Sequence, residues 1–463
     1  MKGVLPALLA IAVAIPLAAA ELRLPPFSRQ VLPNGLTLEV MQRKGIPLVE
    51  IDIAVKGGVE SDPADQPGLA EVTGELLRKG TTSRDSDEFS KDLDALGGTY
   101  RIRADAQSTL LQSEFLSKDF GAGLALIADA VLHATFPESE VKKLLAQQSD
   151  KVKATKDDPA EAIEPYAHAF FFGESHPYGR VMSEISIAHM NRDSIANYHK
   201  RMYSGRNLAI AVVGDIDAQN ARAEVERAFD SAPAGEPYQW TEPIRLSRTP
   251  RARLLLVDKP AATQTYFFIA QPGIDAKSSD RVAVSLVNTL FGGRFTSMLN
   301  EELRVKSGLT YGARNIIDED RLQGMNSIST FTKTDSTGEA VALSLQVLKD
   351  LNEHGLKADQ LASAKAYEQG VTPREMLETP DQLAKLLLRL EMLGFGPDEV
   401  NTLFQRMDAV SIAEANTVAR KYFETSGLTF IFIGDAKKIR AQVAKFAPEI
   451  KEIDISAPGF GGI

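Results

Sequence analysis

Leu208-Ala-Ile-Ala-Val-Val-Gly214-Asp215 and Leu428-Thr-Phe-Ile-Phe-Ile-Gly434-Asp435 are two copies of one pattern, with their glycines 220 residues apart. Each is a short, almost unbroken apolar run closed by a Gly-Asp turn, the signature of a strand buried on both faces. A helix follows each run, Ala221 to Phe229 in one copy and Lys437 to Phe446 in the other. An amphipathic helix precedes each, ending in an aromatic eleven residues before the glycine, Tyr203 and Phe423.

Earlier landmarks repeat at nearly the same distance. Val49, Ile51, Ile53 and Val55 alternate with Glu50, Asp52, Ala54 and Lys56, a half-buried strand by its period of two, ending at Gly57. Tyr266 to Ala270 predicts a second such strand ending at Gly273, an offset of 216. Gly98-Thr99-Tyr100 and Gly308-Leu-Thr-Tyr311 each open a strand, the tyrosines 211 apart. Three landmarks in the same order predict an internal duplication. Pro233, Pro237, Pro243 and Pro250 punctuate a stretch with little apolar periodicity, which is linker composition. The expected organisation is therefore α+β, with two homologous α/β-layered domains at 21–232 and 250–447, a linker at 233–249 and a loose Gly-rich tail at 448–463. Two like domains on a linker suggest a clamshell with a ligand cavity between them.

The remaining composition narrows the class. Met1-Lys2, an apolar run from Val4 to Leu17 and Ala18-Ala-Ala20 before Glu21 have the form of a cleaved secretory signal. A periplasmic or secreted chain with no membrane attachment after processing is the expectation. The net charge of −10 argues against a nucleic-acid partner. Without cysteine there is no thiolate nucleophile, Cys-ligated metal or disulfide framework.

The stretch Gly68 to Thr82 holds a helix, with Pro67 near its start, Gly80 just past its end, and Leu69, Val72, Leu76 and Leu77 on its apolar side. The series strand, Gly57-Gly58, loop, Gly68-Leu-Ala70, then Lys79-Gly-Thr81 resembles the pitrilysin and insulysin family, the inverzincins. That resemblance implies a fold like mitochondrial processing peptidase. It also implies a helix carrying H-x-x-E-H, with two histidines for zinc and a glutamate as water-activating base. The matching positions here are Glu71, Gly74 and Glu75, all three changed. The family's further acidic ligand falls at Asp150 or Lys151. Of six histidines, at 133, 168, 176, 189, 199 and 354, no two stand at the i, i+3 or i, i+4 spacing of a helical zinc pair. Glu71 and Glu75 lie one turn apart, and Glu75 has Lys79 four residues on as an ordinary partner.

In the second half, Phe295, Met298, Leu299 and Leu303 are spaced as a helix ending near Arg304, and Gly308 turns the chain into a strand. Arg304 and Tyr311 can then project toward one point. Read singly, they are a helix C-terminal cation and a strand aromatic. Together they resemble the family's R-x-x-x-x-x-x-Y element, which implies that Arg304 binds a substrate carbonyl and Tyr311 donates to the scissile carbonyl oxygen. Some bacterial members of the family are paired chains, one with the zinc motif and one with the arginine and tyrosine. This chain resembles the second kind.

The expectation is a chain without a metal or cofactor of its own. It would grip peptide substrate and complete the site of an H-x-x-E-H-bearing homologous subunit that holds zinc. Two alternatives stand beside it: a non-enzymatic scaffold, like the family-related core subunits of the cytochrome bc complex, and an active peptidase using Glu71, Glu75 and Asp150 as ligands.

Overall fold

The computed structural model describes residues 22–461, and the signal segment expected at 1–20 lies outside the described residues. The first half builds one sheet from β1 (Ser28–Val31), β2 (Thr37–Gln42), β3 (Leu48–Lys56), β4 (Arg101–Ala104), β5 (Ser108–Gln112), β6 (Glu114–Leu116) and β7 (Leu208–Gly214). Its order is β1-β2-β7-β3-β5-β4, with β6 beside β3. The second half builds β8 (Arg253–Asp258), β9 (Gln264–Pro272), β10 (Ala313–Ile317), β11 (Met325–Lys333), β12 (Thr429–Gly434) and β13 (Glu449–Asp454) into the order β10-β11-β9-β12-β8-β13.

Five strands correspond one to one. β2-β7-β3-β5-β4 and β8-β12-β9-β11-β10 share order and sense, with one parallel pair, β2·β7 or β8·β12, followed by antiparallel pairs. β7 and β12 are buried at every residue, because each has a strand on both sides and a helical layer on both faces. That is why their sequences are unbroken apolar runs. The two-domain α+β expectation holds.

The sixth strand differs between the halves. β1 joins β2 antiparallel, whereas β13 joins β8 parallel, so the tail expected to hang loose from 448 instead completes the second sheet. Ile455 and Phe460 beyond it are buried, Phe460 edge-on to Tyr166 of the first half.

The halves also exchange helices. Helix Pro159–Phe172 starts at an Asp158 N-cap with proline at its first position, and packs onto β9 and β12 of the second sheet. Helix Pro380–Leu393 also has proline at its first position, after Thr379, whose amide donates to Gln382 Oε1, and it ends at Gly394 (φ 68°). It crosses β3 and β7 of the first sheet, where Ala54, Ala209 and Ala211 let it approach. A third tie spans the seam. Glu60, with no side-chain exposure, accepts from Arg321 Nε at 2.9 Å and from the Thr241 amide at 2.7 Å, joining first half, linker and second half. Among the described residues no helix is long and apolar enough to cross a membrane.

Candidate functional site

Helix Leu69–Leu76 is started by Asp62, whose carboxylate accepts from the amides of Gly68 (2.6 Å) and Ala70 (2.8 Å). Gly68 sits at φ 95° with Met182 against it, so the entry turn requires glycine. Leu69, Val72 and Leu76 bury into the first core, which turns Glu71 and Glu75 outward. Both carboxylates meet cations. Lys151 Nζ lies 3.9 Å from Glu71 Oε1, and Arg78 Nη2 lies 3.9 Å from Glu75 Oε2. The partner of Glu75 is thus Arg78 rather than Lys79, because the last turn tightens to a 3₁₀ geometry at Leu77–Lys79. Burial pushes the Glu71 carboxyl up, Lys151 pulls it down and Glu75 pushes it up again.

Of the two residues matched to the further acidic ligand, Lys151 is the one that reaches the helix. Asp150 is 80% exposed and pairs with Lys153 at 3.7 Å. A ligand trio of Glu71, Glu75 and Asp150 is therefore contradicted by the direction in which Asp150 points. Gly74, at the position of the family's base, is closed as well. A Cβ built there would stand 2.4 Å from Ile102 Cδ1 and 3.3 Å from Thr109 Cγ2. Two paired carboxylates, an ammonium and a packed glycine do not fit a catalytic zinc, which takes three protein ligands with an open position for water. Among the described residues no cluster of three His, Cys, Asp or Glu side chains could hold a metal ion.

The arginine–tyrosine segment is built differently. The helix begins only at Met298, and from Glu301 to Lys306 it widens into a π turn that carries Arg304. Phe295, expected on the helix's apolar side, precedes it and is 64% exposed, with the Arg304 guanidinium 4.6 Å over its ring. Tyr311 stands two residues before β10 and is 80% exposed, its ring stacked 6.5 Å from Phe331.

Hydrogen bonds fix the intervening turn. Leu303 O accepts from Leu309 N (2.9 Å), Asn300 Oδ1 accepts from Ala313 N (2.9 Å), and Thr330 Oγ1 donates to Gly312 O (2.9 Å). Gly308 takes the left-handed conformation the reversal needs, at φ 65°. Arg304, Phe295, Asn300, Tyr266 and Phe331 line a cavity of about 430 Å³. Glu71 lines a second, of about 610 Å³, and Glu164 of the exchanged helix lines both. The signals missed in the sequence were Asn300 and Phe331, because a bracing amide and a ring under a tyrosine have no motif of their own.

A duplicated α+β unit, a first-half helix in the zinc position and a second-half arginine–tyrosine turn define a pitrilysin-type chain. The chain belongs to that family. Residues 40–182 match the model described as Insulinase (Peptidase family M16), and residues 189–367 match Peptidase M16 inactive domain. An uncharacterized zinc protease of Mycobacterium tuberculosis is 24% identical over 402 residues, covering 85% of this chain and 90% of that protein. The uncharacterized zinc protease YmxG of Bacillus subtilis is 20% identical over 396 residues, covering 85% and 95%. The crystal structure of a peptidase M16 inactive domain from Pseudomonas fluorescens has the same fold, with a TM-score of 0.81 at 20% identity over 88% of this chain and 98% of that one. A Helicobacter pylori protease gives 0.80 at 19%, over 89% and 100%.

Proposed function

We propose that this chain is the non-catalytic, substrate-gripping subunit of an exported pitrilysin-type zinc peptidase. Its partner is a homologous subunit bearing H-x-x-E-H, and the partner's zinc supplies the activated water. One contrast carries the reading. The first-half site is closed by ion pairs and by Ile102 against Gly74, while the Arg304–Tyr311 turn is cross-braced and keeps its aromatic side free.

Rigid placement is what oxyanion stabilisation requires, because the donor must already be aimed where charge develops. Tyr311 Oη donates to the carbonyl oxygen that gains charge, and Arg304 holds a neighbouring backbone carbonyl by a charge-assisted bond. Export rests on the sequence of residues 1–20.

The test is peptidase activity and bound zinc for this chain alone and after mixing with a zinc-motif homologue from the same cell. The expected result is a metal-free, inert chain that raises the homologue's activity, with Tyr311→Phe lowering the rate of the mixture by about 10²–10³. A lone chain that holds stoichiometric zinc and cleaves peptide overturns the reading. A Tyr311→Phe mixture running at the full rate favours a scaffold.

A further inference from the structure

The two exchanged helices cover sheet faces that differ in one respect, since the first sheet adds buried carboxyls to its apolar residues Met41, Ala54, Ala209, Ala211 and Val213. Under Pro159–Phe172 the second sheet presents the apolar Leu255, Val257, Phe268, Ala270, Ile431 and Ile433, with the charged Arg253 stacked on Phe170. Under Pro380–Leu393 the first sheet presents Glu39, Glu50 and Asp52, respectively 3%, 4% and 0% exposed. The strand alternation that sends Val49, Ile51 and Ile53 into the first core sends Glu50 and Asp52 into the seam.

These carboxyls are poorly compensated. Asp52 Oδ1 accepts only a long bond from the Ser113 amide, at 3.3 Å, while Asp52 Oδ2 and Glu39 Oε2 have no hydrogen-bond partner among the described residues. Glu50 faces Asp52 on its own strand, Glu114 on β6 and Asp381 on the helix. Asp52 faces Gln112, Asp381 and Lys385. Lys385 is 3.3 Å from Asp381 on its own helix. Glu39 faces Glu391 and Arg29, and that arginine is bound to Glu391 at 2.8 Å. Lys56 gives its ammonium to Arg206 O at 2.9 Å. β7 adds only Ala209, Ala211 and Val213 to this face. Lys385 and Arg29, each bound to a carboxylate of the helix, favour the ionised forms of Asp52 and Glu39, and Gln112 that of Asp52, but burial outweighs each of them and the three acids are shut in.

We infer that Pro380–Leu393 is a proton-operated latch between the two halves, docked on the first sheet while Glu39, Glu50 and Asp52 hold protons and loosened as they ionise. Burial pushes all three up, Glu50 to about 9, Glu39 to about 8 and Asp52 to about 7. The sign follows from linkage. Undocked, these carboxyls ionise near pH ~4, whereas docked they keep their protons until about 7 to 9. Docking is therefore strongest below pH ~4 and is lost as pH rises through the docked values. Each proton released shifts the docking equilibrium by about tenfold per pH unit. Beside Pro159–Phe172 stand Asp318 and Asp320, both raised and the latter to about 6, and His176, lowered to about 4, while the strand residues beneath it are apolar, so above pH ~6 this helix serves as the control within the same chain.

The experiment is hydrogen–deuterium exchange on the full chain at several pH values from 6 to 8.5, corrected for intrinsic chemical rates. It reads the peptides covering 380–393 and 159–172. The expected result is a fall of at least about 100-fold in protection of 380–393 across that range, with 159–172 unchanged. The double variant Glu50→Gln/Asp52→Asn removes most of this fall. Flat protection of 380–393 in the natural chain overturns the latch, and that measurement stands even if the double variant does not fold. Parallel loss at both helices overturns it too, because that pattern is global unfolding.

Discussion

Lys151 Nζ stands 3.9 Å from Glu71 Oε1, so an ammonium meets the helix at the place where the family's zinc would draw its ligands together. The pair is partly exposed, at 68% and 28%, and contributes little to stability. Its effect is to oppose a divalent cation. The natural chain is expected to retain no stoichiometric zinc after dialysis, measured by elemental analysis. Glu71→His/Glu75→His with Lys151 kept should bind zinc at least about tenfold more weakly than the same double variant with Lys151→Glu. Equal zinc titration curves would show that the lysine swings clear.

Gly74 gives a second measure of how completely the old site is closed. Gly74→Ala overpacks against Ile102, at about 1–3 kcal/mol, offset by about 1 kcal/mol of better helix propensity. Removing both Ile102 Cδ1 and Cγ1, 2.4 and 2.9 Å from that Cβ, by Ile102→Ala relieves the clash. Urea denaturation should therefore find the double variant more stable than the sum of the two single changes. Strict additivity would mean that the 2.4 Å approach is not what keeps this position glycine.

Much of this was legible from residues alone. The two Gly-Asp runs gave the duplication because a central strand with neighbours on both sides must be apolar throughout, and β7 and β12 are such strands. The alternation of 49–56 was legible too, but not its meaning. Glu50 and Asp52 read as the solvent face of a half-buried strand, whereas a helix 330 residues later in the chain covers them. Helix exchange is a long-range event with no local signature. β13 was missed for a similar reason, since an edge strand needs only a neighbour with free backbone groups.

Asn300 ties the helix that carries Arg304 to the strand that follows Tyr311. Asn300→Ala leaves the buried Ala313 amide without its acceptor, at a cost of about 1–3 kcal/mol. On the proposed function, the mixed complex should also lose activity, by about tenfold, through a loosened turn. Thermal denaturation reads the first effect and the peptidase rate at a temperature where the variant stays folded reads the second. Lost stability with an unchanged rate would make Asn300 purely structural.

His176 is expected to steepen the loss of stability in acid. It is 3% exposed, stacked 4.8 Å from Phe172, and its Nδ1 accepts from the Tyr178 amide at 3.1 Å. Burial lowers its pKa to about 4, with Arg180 and His168 adding to the effect. The unfolded chain takes up the proton near pH ~6.5, so this residue costs stability as pH falls from ~6.5 toward 4, about 3 kcal/mol in all. His176→Asn keeps an acceptor and cannot titrate. Urea midpoints from pH 7 to 4.5 should fall less steeply in this variant, and identical slopes would assign the acid limb to other groups.

Glu60 and Arg321 test whether the halves stand as one body. Arg321 binds Glu60, donates to Thr241 O at 2.6 Å and lies 5.0 Å over the Trp240 ring, so one guanidinium touches first half and linker from the second half. Arg321→Ala leaves a fully buried carboxylate facing only the Thr241 amide, which should cost about 3–5 kcal/mol. Removing both charges by Glu60→Gln/Arg321→Met should cost clearly less, because the expensive state is the lone charge rather than the missing pair. A calorimetric scan distinguishes two ways of failing. If the seam is needed for either half to fold, Arg321→Ala lowers a single transition. If the halves are independent, the transition splits in two, and the helices they exchange would then be docked on already folded sheets.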